Sequence, residues 1–152
     1  MASLARHSRL RLALTALVAG CATAPSQKGE FKGGEFRYTA VSEDGGTAVR
    51  VEGIIRFQVV NQSELRGTWQ LSLVQGSPER TGPQIGSGQL RGSVEGSIEG
   101  TQVHVDLNPQ YQDNNVFLEG RVMEAGRIDG YWSFSTLVGP VSSGSFVATP
   151  RL

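Results

Sequence analysis

From Glu35 to Pro150 the chain alternates apolar and polar residues with a period of two, and turn residues interrupt the alternation at short intervals. Strands place successive side chains on opposite faces, so this pattern commits the segment to a β fold before composition is considered. Eight candidate strands carry it. The apolar set runs through Phe36, Tyr38 and Ala40; Val49 to Val59; Leu65 to Leu73; Gly88 to Val94; Val103 to Leu107; Val116 to Val122; Ile128 to Phe134; and Gly144 to Ala148. The opposite set, including Arg37, Arg50, Glu52, Arg56, Arg66, Arg91, Glu95, Glu119 and Asp129, is polar or charged. No stretch after residue 35 has a helical period. The segment is predicted to be all-β.

The strands also repeat. Phe36-x-Tyr38 leads to Val51-Glu52-Gly53, and Val103-x-Val105 leads to Leu118-Glu119-Gly120, both at an offset of 67 residues. The run from Leu65 to Leu71 is answered by Ile128 to Phe134, and Gly88–Gly92 by Gly144–Ala148. Four elements in one order, present twice, indicate a duplicated four-strand meander. Eight sequential antiparallel strands with one apolar face close into an up-and-down β-barrel, which leaves no unpaired edge. A two-sheet β-sandwich is the alternative. A membrane-spanning barrel would turn its apolar face outward. Here a polar set of this size can only face water, so the apolar set is the interior.

Ahead of the barrel lies a different kind of polypeptide. Arg6, His7, Arg9 and Arg11 form a basic start, Leu12 to Ala19 is a short apolar run, and Val18-Ala19-Gly20-Cys21 ends in the only cysteine. The apolar run falls far below the ~20 residues of a membrane-spanning helix, so residues 1–20 read as a signal peptide. Val18-Ala19-Gly20-Cys21 resembles the lipobox of bacterial lipoproteins. The resemblance implies cleavage before Cys21, acylation of that cysteine and, with Ala22 after it, passage to the outer membrane. Several acyl chains make a durable anchor where one would not. The expected organisation is a signal peptide at 1–20, a lipidated flexible linker at 21–34 and a barrel domain at 35–150, in the cell envelope.

Composition narrows the function classes. Without residues 1–20 the chain has 132 residues, with 11 basic and 14 acidic side chains, a formal charge of −3. That length suits one domain, and that balance gives no basic face for nucleic acid. Once Cys21 is acylated there is no thiol left for a disulfide or for catalysis. His104 shares a strand face with Asp106, a pairing that could orient a proton shuttle, but no motif places a nucleophile or second histidine beside it. A metal would find only oxygen ligands, and Asn108–Asn115 lacks the spacing of a Ca²⁺ loop. No phosphate-binding loop precedes a helix. The sequence therefore names no catalytic residue, no cofactor and no metal, and a non-enzymatic role is expected.

Two readings of the interior follow. Gly53, Gly67, Gly92, Gly120 and Gly130 fall at inward mid-strand positions. Simple hairpin registers would set Gly53 opposite Gly67 and Gly120 opposite Gly130, with Trp69 and Trp132 one inward position further on. Bare glycine would then make room for the indoles in a packed core. Gly67-Thr68-Trp69 resembles the lipocalin Gly-x-Trp signature, although it sits on the third strand, and again on the seventh, rather than on the first. That resemblance implies a carrier of a small apolar ligand. Eight strands enclose only enough width for side chains to fill, which favours the packed core.

Binding function concentrates on loops. Connections near 43–47, 75–87, 108–115 and 135–143 would gather at the end of the barrel away from the linker, and three of them are predicted to be the longer ones. Ser77 to Pro83, Tyr111 to Asn115 and Val138 to Val141 would form this distal rim, with Arg80, Tyr111 and Asp113 as candidate binding residues for an envelope protein. Ile54, Phe117 and Tyr131 are outward apolar residues that could mark a partner surface.

Overall fold

The computed structural model describes residues 31–42, 49–75 and 90–151, apart from the side chains of Leu73 and Val74. The alternation becomes eight strands: β1 (Gly34–Ser42), β2 (Arg50–Val60), β3 (Glu64–Gln75), β4 (Arg91–Glu99), β5 (Gln102–Asp106), β6 (Asn115–Val122), β7 (Ile128–Thr136) and β8 (Gly139–Pro150). Each pairs antiparallel with the next, and β8 returns to β1 along Phe36↔Pro150 through Ser42↔Gly144, closing the barrel. The sandwich alternative is thereby excluded. The turns at 61–63, 100–101 and 123–127 lie at the end where β1 begins, called proximal below. The β5–β6 and β7–β8 connections lie at the distal end.

The inward set forms one continuous core. Phe36, Tyr38, Val51, Ile55, Leu65, Val94, Val105, Leu118, Ile128, Trp132 and Phe146 belong to a cluster whose members are at most 7% exposed. An internal void would add accessible surface to the side chains around it, so residues this enclosed border little water-sized space. Phe36 and Phe57 meet edge to face at 5.5 Å between ring centroids, and Phe31 stacks on Phe36 at 5.7 Å. Composition alone assigns Phe31 to the linker, yet it packs against the core at the proximal end. Burial of such side chains contributes about 1.5–3 kcal/mol each.

The two tryptophans tie the halves together. The Trp69 indole on β3 crosses β4 and donates from Nε1 to the Leu107 carbonyl beyond β5, at 2.5 Å. The Trp132 indole on β7 crosses β8 and donates to the Val41 carbonyl of β1, at 2.9 Å. Each crossing needs a strand residue without a side chain. Gly92 stands opposite Trp69 and Gly144 opposite Trp132, and a Cβ there would lie 2.7 Å or 2.6 Å from the indole nitrogen. Buried indole N–H groups require such acceptors.

Three expectations need correction. Gly144 is the counterpart of Gly92, not of Gly88, so the repeat in the fourth element is shifted by four residues from the sequence match. Gly120 does pair with Gly130, but Gly53 pairs with Leu71 and Gly67 with Phe57, because the turn at 61–63 sets Val60 opposite Glu64 and that register runs unbroken to Gly53, with a bulge only beyond it. The fourth strand was expected to end near Val94 but continues to Glu99, with Val94 and Ile98 buried and Leu90 57% exposed. The Gly100-Thr101 turn sets that register through Glu99↔Gln102 and draws the strand toward the proximal end. Leu90, expected inside, is left beyond the last core layer, although its carbonyl still accepts from Leu71 N. Gly88 lies outside the described residues.

Candidate functional site

The distal end is built from the β5–β6 loop and the β7–β8 turn. The sequence suggests a long connection over 135–143, but the strands continue to Thr136 and resume at Gly139. Only Leu137 and Val138 lie between them. Gly139 takes φ +110°, a conformation that suits glycine at the close of a short hairpin. The register then shifts, with Ser135 opposite Pro140 and Phe134 opposite Ser142, so Val141 bulges out unpaired. That extra residue reverses the inside–outside alternation, which is why the sequence pattern breaks there.

This turn is apolar and braced. Leu137 is 81% exposed and Val138 93%, with Val141 half exposed beside them. Asp113 Oδ1 accepts from the backbone N–H of Leu137 at 2.8 Å and from that of Asn114 at 2.8 Å. Thr136 Oγ1 accepts from Val138 N and donates to the Gly139 carbonyl, both at 3.4 Å. With its N–H groups bound from below, the turn holds one shape while its side chains point away from the barrel. Apolar side chains at a fixed tip contribute nothing to the core, and their exposure is unfavourable in water.

The supporting loop is equally fixed. Asp106 accepts from Asn108 N at 2.8 Å and from Asn115 Nδ2 at 2.7 Å, and Asn108 Nδ2 donates to the Asn114 carbonyl at 3.2 Å. Asn108 and Asn115 are buried by this network. Tyr111, on the same loop, is 40% exposed. The structure thus brings Asp113 onto the hairpin tip and leaves Tyr111 on the same rim. Arg80 and Cys21 lie outside the described residues, as do 43–48 and 76–89. Sequence reasoning misses Leu137, and reads Asp113 as a binding residue where the structure has its Oδ1 bracing the turn. The available signal was Gly139 three residues after Thr136, the mark of a tight hairpin.

The catalytic pairing weighed from the sequence does not form. Asp106 is engaged by the loop, and His104 Nδ1 faces Glu119 Oε1 across β5 and β6 at 3.6 Å, with its ring stacked on Phe117. Both His104 and Glu119 are largely open to solvent. Among the described residues no group of three or more His, Cys, Asp or Glu side chains could hold a metal ion. The strongest ionisation shift belongs to the interior, where burial pushes the Tyr38 phenol far above its ordinary range. Among the described residues its hydroxyl has no hydrogen-bond partner, and no acid or base accompanies it in the apolar core. The features that define this protein are a closed, filled barrel and a braced apolar rim. Comparison with family models, with curated proteins and with solved structures finds no match in any of the three.

Proposed function

We propose that this is a lipid-anchored protein of the bacterial cell envelope, held at the outer membrane through Cys21, whose barrel engages an envelope protein through its distal rim. The observation that carries the binding role is the pair Leu137 and Val138, exposed on a turn that Asp113 and Thr136 hold rigid. A preorganised apolar tip loses little entropy on docking, and small clusters of this kind dominate interface energies. The anchor rests on the order of basic start, apolar run, small residues and Cys21. The first described residues lie at the proximal end, so a tether from Cys21 would leave the rim pointing away from the membrane. The enclosed interior side chains weigh against lipocalin-like carriage of an apolar ligand.

A photocrosslinking side chain placed at Val138 in cells tests the rim, with the same probe at exposed Gln58 as control. A discrete protein adduct at Val138 and none at Gln58 is expected, and equal labelling at both would overturn the rim. For the anchor, Cys21→Ala is expected to move the protein from the membrane to the soluble fraction. A variant that stays membrane-bound in high salt contradicts lipidation.

A further inference from the structure

The outer surface is recessed where β4 meets the second half of the barrel. A groove of about 590 Å³ runs across β4 to β7 and includes His104, Glu119, Arg121, Asp129 and Tyr131 in its lining. Its floor is the directly paired Gly120 and Gly130. A Cβ on Gly130 would lie 2.5 Å from Gly120 Cα and collide with the Glu119 carbonyl. The two backbones therefore approach more closely at this pair than a side chain on Gly130 would allow, and the groove lies over them. In the first half Gly53 and Gly67 are not paired with one another.

The chemistry of the lining is mixed in a specific way. Tyr131 presents an aromatic ring that is 66% exposed. Around it are carboxylate acceptors on Glu119 and Asp129, a guanidinium donor on Arg121, and the His104 imidazole stacked on Phe117. Asp129 receives Arg127 on Oδ2, while its Oδ1 is without a hydrogen-bond partner among the described residues. Anionic ligands are disfavoured by the carboxylates. A fully apolar ligand would strand the polar groups. A ligand rich in hydroxyl groups, each both donor and acceptor, with an apolar ring face for Tyr131, meets all of these requirements.

We propose that this groove binds a neutral oligosaccharide chain, with Tyr131 stacking on a sugar ring and Glu119, Arg121 and Asp129 bonding its hydroxyls. The groove lies toward the proximal end and is separate from the rim, so its test leaves the rim reading untouched. The ¹⁵N-labelled full chain is titrated with cellotriose, maltotriose and N,N′,N″-triacetylchitotriose, and separately with spermine. At least one trisaccharide is expected to give saturable amide shifts centred on residues 102–104, 119–121 and 129–131, unaffected by high salt. Tyr131→Ala should weaken that binding by about tenfold while leaving the melting temperature unchanged, since the ring lies outside the core. Glu119→Gln should weaken it less, with no loss of fold. Three results would overturn the proposal: no shifts with any trisaccharide at millimolar concentration, shifts with spermine alone that high salt abolishes, or unchanged sugar binding by Tyr131→Ala.

Discussion

The two halves of the barrel, β1–β4 and β5–β8, share a plan and differ in what they do with it. Each sends a tryptophan from its third strand across a glycine on its fourth, to a carbonyl at the distal end of the other half's first strand. That clamp is the shared plan. The glycines of the second hairpin are paired and line the outer groove, whereas the register set by the 61–63 turn offsets those of the first. The second half also carries the exposed Leu137–Val138 turn. Duplication supplied the closure, and divergence in glycine register and turn length left the rim turn on the second half and the groove mainly there, with the end of β4 at its edge.

The comparison can be broken most sharply at the clamp glycines. Gly144→Ala would drive a Cβ into the Val41 carbonyl as well as the Trp132 indole, while Gly92→Ala meets only the Trp69 side chain. Backbone cannot yield as a side chain can. Gly144→Ala is expected to cost about 3 kcal/mol or more and Gly92→Ala about 1 kcal/mol, measured by urea denaturation. Equal losses would show that the two clamps are packed alike. Next in size, Trp69→Phe and Trp132→Phe each replace an indole by a smaller phenyl ring and remove the N–H that bonds the Leu107 or Val41 carbonyl, an expected loss of about 2 kcal/mol in either half. A much smaller loss in one half would mean that its hydrogen bond contributes little.

A third test uses a position where the halves differ. Tyr38 on β1 corresponds to Val105 on β5, and only the tyrosine brings an unpartnered hydroxyl into the core. Tyr38→Phe is expected to stabilise the fold by about 1 kcal/mol, because a buried polar group without a partner is unfavourable. Burial also raises the Tyr38 pKa, so its contribution is fully present below the unfolded value of 10.0. Above that pH the unfolded chain releases the proton while the folded chain retains it. Stability should therefore fall with rising pH by about 1.4 kcal/mol per unit, a slope that Tyr38→Phe removes. The smallest effect is at the rim. Asp113→Ala should cost about 0.5–1 kcal/mol but speed hydrogen exchange of the Leu137 amide, and unchanged exchange would mean the turn holds itself.

The closed barrel was legible because periodicity records which side chains face inward, and Phe36, Tyr38, Val103, Val105, Ile128 and Trp132 are buried as the alternation requires. The pairing of Gly120 with Gly130 was legible too, since a short turn carries that hairpin's register unbroken. Registers set by bulges were not. Nothing in the composition of Glu52-Gly53 or Pro140-Val141 announces an extra residue, and each shifted what lay beyond it. The outer groove was hidden for another reason. Tyr131 stood out as an outward aromatic, but the hollow beside it depends on how closely two strands approach, which a one-dimensional pattern does not encode. The tip residue Leu137 was concealed by a strand that runs further than its alternation does.

Whether the barrel is a solid scaffold or a container is best decided by its own two tryptophans, both enclosed within the core. Intrinsic fluorescence of the full chain is measured during titration with fatty acids, a sterol and hydrophobic dyes. A filled interior predicts blue-shifted emission that none of these ligands alters saturably. Saturable quenching or a spectral shift with a stoichiometry of one ligand per chain, lost on introducing bulk at Val105, would contradict it and make the interior the binding site.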